Sequence, residues 1–394
     1  MSIVAEVVQE SLGRSSWIRR MFEEGARLKA ERGEEAICDF SLGNPILEPP
    51  AQVAEALREL VLTPVPGMHR YIPNPGLPAV RAHVAEELAA ATGRPYRTEH
   101  VVMTCGAAGG LNVLFKALLN PGDEVVALAP YFVEYDFYVA NHGGRLVRAA
   151  TDANFQLDVA ALEAALTPRT RAVLVNSPNN PTGVIYPEAA LRQMAECLRA
   201  ASRRFGRPIL LVSDEPYRNL VFDGVRVPWL PVLYEHTVLI TSHSKDLGLA
   251  GERIGYAAVS PDCADAALLF EAMVLANRIL GFVNAPALIQ RVLPLVKAGA
   301  EDAIYYQRLR DRLLPALRKM GLQCVTPQGA FYLFPRAPIP DDVAFVRAAL
   351  EEGLLLVPGS GFAGPGHFRI SLSVPEAVVE RALPKFEKVL SQYR

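Results

Sequence analysis

The sequence predicts an α/β protein: a large domain with a mostly parallel central sheet between helices, plus a smaller α+β domain. Three observations carry that prediction. Short, almost wholly apolar runs alternate with helical patterns between residues 100 and 260. After Gly321 the pattern changes to strand-like pieces, then helix, then strand again. The chain has 394 residues, 51% of them hydrophobic, enough for one large core and a smaller one.

Residues 1–41 read as a charged helical segment ending in a short strand, Ile37-Cys-Asp-Phe-Ser, followed by a proline-rich loop from Gly43 to Pro50. Six runs then read as strands: His100–Thr104, Glu124–Ala129, Ala172–Asn176, Ile209–Ser213, Val238–Thr241 and Ile254–Val259. Nearly continuous apolar character suits strands covered on both faces. Their alternation with helices predicts a parallel sheet with right-handed crossovers. Ala264–Ala298 reads as helical with breaks at its prolines, and Glu301–Leu317 as a long amphipathic helix. Gln323–Thr326, Ala330–Phe334 and His367–Leu372 read as strands of the smaller domain.

Composition narrows the function. Forty basic and 42 acidic residues leave a net charge of −2, so neither nucleic acid nor an acidic membrane surface is expected as a partner. The longest apolar stretches are broken by Pro, Gly or charge, which predicts no membrane span. The first ten residues carry no basic stretch followed by an apolar block, so no signal peptide is expected. Cys38, Cys105, Cys197, Cys263 and Cys324 are widely spaced, without a CxxC or Cys/His cluster. That pattern predicts reduced thiols in a cytoplasmic protein and no metal site.

The most informative run is Ser242-His-Ser-Lys-Asp-Leu-Gly-Leu-Ala-Gly-Glu-Arg253-Ile-Gly255. It sets the Lys245 amine beside a hydroxyl and a guanidinium, with small residues between. An amine can form a Schiff base with an aldehyde, and a hydroxyl with an arginine can hold a phosphate. The run resembles the lysine segment of fold-type I, class I/II aminotransferases, the aspartate-aminotransferase-like enzymes that use pyridoxal 5′-phosphate. The resemblance extends from Gly43 to Arg369, with the motifs in family order.

What the resemblance implies can be set beside the plainer reading of each residue. Asp214, in Ser213-Asp-Glu-Pro-Tyr217, reads as a turn aspartate at a strand end; the family places there the carboxylate that pairs with the cofactor's pyridine nitrogen. Tyr217 reads as a packing tyrosine, and Asn180, in Asn176-Ser-Pro-Asn-Asn-Pro-Thr-Gly183, as part of a turn. Both are implied to reach the cofactor's phenolic oxygen. Thr104-Cys-Gly-Ala-Ala-Gly-Gly110 joins a strand to a helix expected to begin near Leu111. Its Gly106, Ala107 and Ala108 are implied to cradle the phosphate, together with Ser242 and Arg253. Phe132, in Pro130-Tyr-Phe-Val-Glu-Tyr135, reads as core and is implied to stack on the pyridine ring. Arg369, in Phe368-Arg-Ile-Ser371, reads as a strand residue and is implied to clamp the substrate α-carboxylate, with Gly43 and Asn180 also at the substrate. Tyr71 begins Tyr71-Ile-Pro-Asn-Pro-Gly76-Leu-Pro-Ala-Val-Arg81, which resembles the family's cross-subunit phosphate segment, with Val80 where the family has leucine.

The resemblance therefore implies fold type I and an aminotransferase moving an amino group from an α-amino acid to a 2-oxo acid. Lys245 would serve as Schiff base and proton shuttle in a ping-pong cycle. A homodimer with shared sites follows in the same way. The expected division is an N-terminal arm with part of the small domain at 1–44, a large cofactor-binding domain at 45–283 and a small domain at 284–394. A carbon–sulfur lyase on the same scaffold is the nearer alternative, since the pocket decides the fate of one shared intermediate. A non-catalytic ligand sensor is the farther one, but no basic helix-turn-helix module fits before residue 40. Arg278, His69 and Trp17 are open candidates for contact with the substrate side chain, Arg278 reading more readily as a helix surface charge.

Overall fold

A computed structural model describes residues 3–13, 17–299 and 301–393. A two-residue strand, β1 (Cys38–Asp39), precedes the strands of the central sheet. These are β2 (Val101–Thr104), β3 (Glu124–Ala129), β4 (Arg145–Ala150), β5 (Thr170–Asn176), β6 (Leu210–Asp214), β7 (Thr237–Ser242) and β8 (Gly255–Val259). Their order across the sheet is β2-β8-β7-β6-β5-β3-β4. Every neighbouring pair is parallel except those of β8, which is antiparallel to β2 and β7.

Alternate residues of the central strands feed opposite cores. Val126, Leu128, Val173, Val175 and Leu211 pack on one face, and Val125, Ala127, Ala172, Leu174 and Val212 on the other. Both faces are covered, which is why these strands read as continuous apolar runs. Within the central sheet, the strand that escaped the sequence reading is β4. It lies at the sheet edge, paired only to β3, and exposes Arg145, Arg148 and Ala150, so it lacks the apolar continuity used to find the others.

The strand topology brings the candidate positions to one edge. β2, β3, β5, β6 and β7 all end there, at Thr104, Ala129, Asn176, Asp214 and Ser242. The antiparallel β8 starts there, with Gly255 paired to both Thr104 and Ser242. In an open parallel sheet this carboxyl edge is where ligands bind.

Two local expectations need correction. The helix after β2 begins at Gly106 and runs to Leu118, five residues earlier than expected near Leu111. Its glycines let it lie close on the sheet: a Cβ on Gly110 would stand 2.9 Å from Ile240 Cγ2. The glycine-rich run is thus a packed helical turn with only its first residue, at φ +69°, in the left-handed region. Gln323–Thr326 does not form a strand. There Arg318 Nη2 donates to the Cys324 carbonyl and to Thr326 Oγ1, both at 2.7 Å, and supplies polar partners that a ladder would otherwise have given.

The rest of the chain builds a smaller layer. β9 (Tyr332–Leu333), β10 (Leu354–Leu355), β11 (Val357–Pro358) and β12 (Phe368–Ser371) follow the long helix Glu301–Lys319. β1 pairs in parallel with β10, tying residues 38–39 to the C-terminal part. The three-stranded sheet β11-β12-β9 is antiparallel, with Val357 opposite Arg369 and Ser371 opposite Tyr332. Residues 285–296 pack with Val101, Met103 and Leu239 on the central sheet. No helix among the described residues is long and apolar enough to cross a membrane.

Candidate active site

A cavity of about 460 Å³ opens at the carboxyl edge of the central sheet. Its floor takes Asp214 from the end of β6, Ser242 from the end of β7 and Lys245 from the turn beyond. Ala107 and Ala108 of the first helical turn line it, as do Phe132, Asn180, Tyr217 and Arg253. Gly43 and Arg369 enter from the smaller layer. Gly106 sits directly beneath: a Cβ there would stand 3.1 Å from Arg253 Nη2. Residues spread over more than 300 positions of sequence are thus gathered at one place.

Lys245 is half-buried, and its Nζ donates to the Gly43 carbonyl at 2.5 Å. Burial pushes its ammonium down to about 8, helped by the positive charges of Arg369 and Arg253. A substantial neutral fraction near physiological pH suits an amine that must act as nucleophile and base.

Asp214 is 5% exposed. Its Oδ2 accepts a hydrogen bond from the Tyr135 hydroxyl, and its main-chain carbonyl accepts one from Asn176 Nδ2 at 2.9 Å. Oδ1 is buried with no hydrogen-bond partner among the described residues. Burial raises the carboxyl to about 7, against the opposing hydrogen bond from Tyr135 and with some help from the charge of Glu215. A carboxylate so placed calls for a cation or a donor at the free oxygen.

Arg369, on β12, is 1% exposed. Nη1 donates to Asn180 Oδ1 at 3.0 Å and Nη2 to the Ser41 carbonyl at 2.8 Å. Its guanidinium lies 4.5 Å from the Tyr332 ring and 4.6 Å from that of Phe362. Among the described residues, Nε has no partner and no carboxylate pairs with this buried cation. Burial draws its basicity below the ordinary arginine value.

The remaining named residues divide. Phe132 meets Tyr135 edge-on at 5.7 Å and lines the cavity. Arg253 has positive φ and donates to the Ala250 carbonyl at 3.0 Å. Tyr71 does not line the cavity; it projects 90% exposed. Arg278 and His69 are exposed and also lie outside the cavity lining. The Trp17 side chain lies outside the described residues.

Sequence reasoning missed Tyr135, Tyr138, Asn176, Ser244 and Tyr332, all of which line the cavity. Asn176 had a signal, since it ends β5 directly beside Asp214 in the sheet register. Tyr332 had none, because it sits in an apolar run that reads as core, and Tyr135, between Glu134 and Asp136, reads as an ordinary helix residue.

The sequence profile described as aminotransferase class I and II matches residues 35–386. A probable aspartate/prephenate aminotransferase of Thermus aquaticus is 37% identical, over 89% of this chain and 91% of its own. Among solved structures, an amino transferase from Eubacterium rectale superposes with a TM-score of 0.95 at 38% identity, covering 100% of both chains. Aspartate aminotransferase from Thermus thermophilus with maleate gives 0.87 at 30% identity, over 99% of this chain and 100% of that one.

Proposed function

The chain belongs to the class I and II aminotransferases, and on that premise we propose that the cavity around Lys245 is where it moves amino groups between amino acids and 2-oxo acids. The family's cofactor is pyridoxal 5′-phosphate. One observation carries the assignment: Asp214 lines the same cavity as the Lys245 amine and keeps one buried oxygen without a partner among the described residues. That oxygen fits a protonated pyridine nitrogen. Ser242, Arg253 and the Gly106–Ala108 amides at a helix start fit a phosphate. The donor set therefore suits the cofactor.

When bound, pyridoxal phosphate supplies the electron sink for charge left at the substrate α-carbon. The protein's own groups do the rest. Asp214 would hold the ring nitrogen protonated. Tyr217 and Asn180 would hold the phenolic oxygen, and Phe132 would lie against the ring. Arg369 pairs with the substrate carboxylate and, with Gly43 and Asn180, orients the α-carbon. Lys245 Nζ, in its neutral form, would take the α-proton and hold it as an ammonium until it is given back. A carbon–sulfur lyase would need the same groups, but the matched relatives are aminotransferases. Oxo-acid-dependent recycling of the cofactor's amine form, followed spectrally over a panel of amino donors with 2-oxoglutarate, tests the reading. Elimination products without recycling would reject it.

The active form is a homodimer in which Tyr71 reaches the neighbouring subunit's phosphate site. Support comes from the exposed Tyr71 and from Leu268, Leu275 and Ile279, an exposed apolar stripe on one face of the helix Ala266–Ile279. A hybrid of Lys245→Ala and Tyr71→Asp subunits concentrates both defects in one site and regains activity if Tyr71 acts across the interface. No recovery on mixing, or a monomer in solution, contradicts it. The β1–β10 pairing supports grouping residues 1–44 with the small domain, while the packing of residues 285–296 on the large sheet favours a second boundary nearer Glu301 than the expected 283. Five free cysteines support a cytoplasmic location.

A further inference from the structure

Tyr332 touches three groups of the proposed site and has no part in the chemistry assigned above. It lies on β9, beside the strand that carries Arg369, and is 1% exposed. Its hydroxyl stands 2.9 Å from the Tyr217 hydroxyl. Its ring lies against the Arg369 guanidinium at 4.5 Å. On the remaining side comes Gly43, whose carbonyl receives Lys245; a Cβ on Gly43 would stand 2.5 Å from the Tyr332 hydroxyl oxygen.

Two phenols joined by one hydrogen bond carry two protons, and only one lies in the bond. Among the described residues, the Tyr217 hydroxyl is the one hydrogen-bond partner of the Tyr332 hydroxyl. A buried hydroxyl that fails to donate costs about 1–3 kcal/mol. Either hydroxyl can be the donor, and both residues line the cavity. With Tyr332 donating and Tyr217 accepting, the proton of Tyr217 is free to turn toward the cavity.

We propose that Tyr332 is a positioning residue that joins the two ends of the site: its hydroxyl aims the Tyr217 phenol into the cavity, and its ring seats the plane of Arg369. This rests on the cavity being the cofactor and substrate site. The two parts separate by substitution. Tyr332→Phe removes the hydroxyl and keeps the ring, whereas Tyr332→Leu removes both.

The test uses the cofactor-loaded enzyme. A donor aimed at a cofactor oxygen favours its deprotonated form, so losing its aim raises the pH midpoint of the bound cofactor's visible band. In Tyr332→Phe that midpoint rises by about half a pH unit or more, while KM for an amino acid stays within about twofold. In Tyr332→Leu the same KM rises about tenfold, with no matching change for an amine lacking the carboxylate. In a Tyr217→Phe background, adding Tyr332→Phe leaves the midpoint where it was. A Tyr332→Phe titration that overlays the wild type overturns the proposal. So does a full shift in the Tyr217→Phe background, or a KM rise in Tyr332→Phe equal to that in Tyr332→Leu. Should the leucine variant not fold, the phenylalanine variant and the double variant still decide. Failure of the underlying reading is distinct: the wild type would then bind the cofactor with no visible band from Lys245.

Discussion

At the amino end of the central strands a buried carboxylate is fully paired, and at their carboxyl end a buried carboxylate is not. Glu124 opens β3 and is 0% exposed. Arg145 at 2.6 Å, Arg169 at 3.3 Å and the Thr167 hydroxyl at 2.6 Å surround it. Burial alone would raise its pKa, but those partners win and hold it below the ordinary glutamate value. Asp214 closes β6 with one oxygen unpartnered among the described residues, and burial wins. The arginines repeat the contrast. Arg310 is buried and paired with Asp223 and Asp311, whereas Arg369 is buried with no carboxylate. A fold gains nothing by burying single charges. Asp214 and Arg369 make sense as halves of pairs completed by the cofactor nitrogen and the substrate carboxylate.

This comparison can be broken at several points. The largest effect is expected from Asp214→Ala, which should lower kcat by a hundredfold or more, on the order of a lost transition-state electrostatic contact. Cofactor affinity should fall far less, because the phosphate contacts remain. Near-normal kcat would place Asp214 with Glu124 as a structural carboxylate.

Arg369→Ala should raise KM for amino acids by about a hundredfold, the range of a lost buried charge pair. Amines without a carboxylate should change little, and Arg369→Lys should recover only part of the loss, since an ammonium lacks the planar fork. Equal losses for both substrate types would make Arg369 structural.

Stability should respond in opposite senses at the two ends. In the cofactor-free protein the Asp214 carboxyl lies at about 7, above its ordinary 3.8, so the folded state keeps a proton that the unfolded chain releases. Stability from this group is therefore present below pH 3.8 and lost as pH rises toward 7. Asp214→Asn should melt several degrees higher than the wild type at about pH 8, the gain vanishing near pH 4. Glu124→Gln should cost about 1–3 kcal/mol at neutral pH, because its arginines lose their counter-charge. Melting curves across pH check both, and a destabilised Asp214→Asn at high pH would remove the contrast.

A smaller effect concerns timing. Capture of pyridoxal phosphate by cofactor-free protein requires the neutral amine of Lys245. The rate should rise with pH and level off above about 8, instead of near the ordinary lysine value of 10.5. Stopped-flow absorbance gives the profile.

Much of this was legible in the sequence, for identifiable reasons. β3 was read to the residue because both its faces are buried, and β4 was missed because one edge is not. Lys245, Asp214 and Arg369 stood out as polar residues in fixed motifs. The links between them did not. Tyr135 meets Asp214 across 79 positions and Tyr332 meets Tyr217 across 115. Pairings at such separation leave no local pattern, and a tyrosine in an apolar run looks the same whether its hydroxyl works or merely packs. The helix start at Gly106 was misplaced because glycine was read as a loop signal when its use was close packing on Ile240.

The central claim is that Lys245 is the amine that bonds the cofactor. Borohydride reduction of the pyridoxal-phosphate-loaded protein, followed by peptide mapping, tests it most directly. The account predicts one pyridoxyl group per chain, on the peptide holding Ser242–Arg253 and at Lys245 within it. A pyridoxyl group on any other lysine would contradict it.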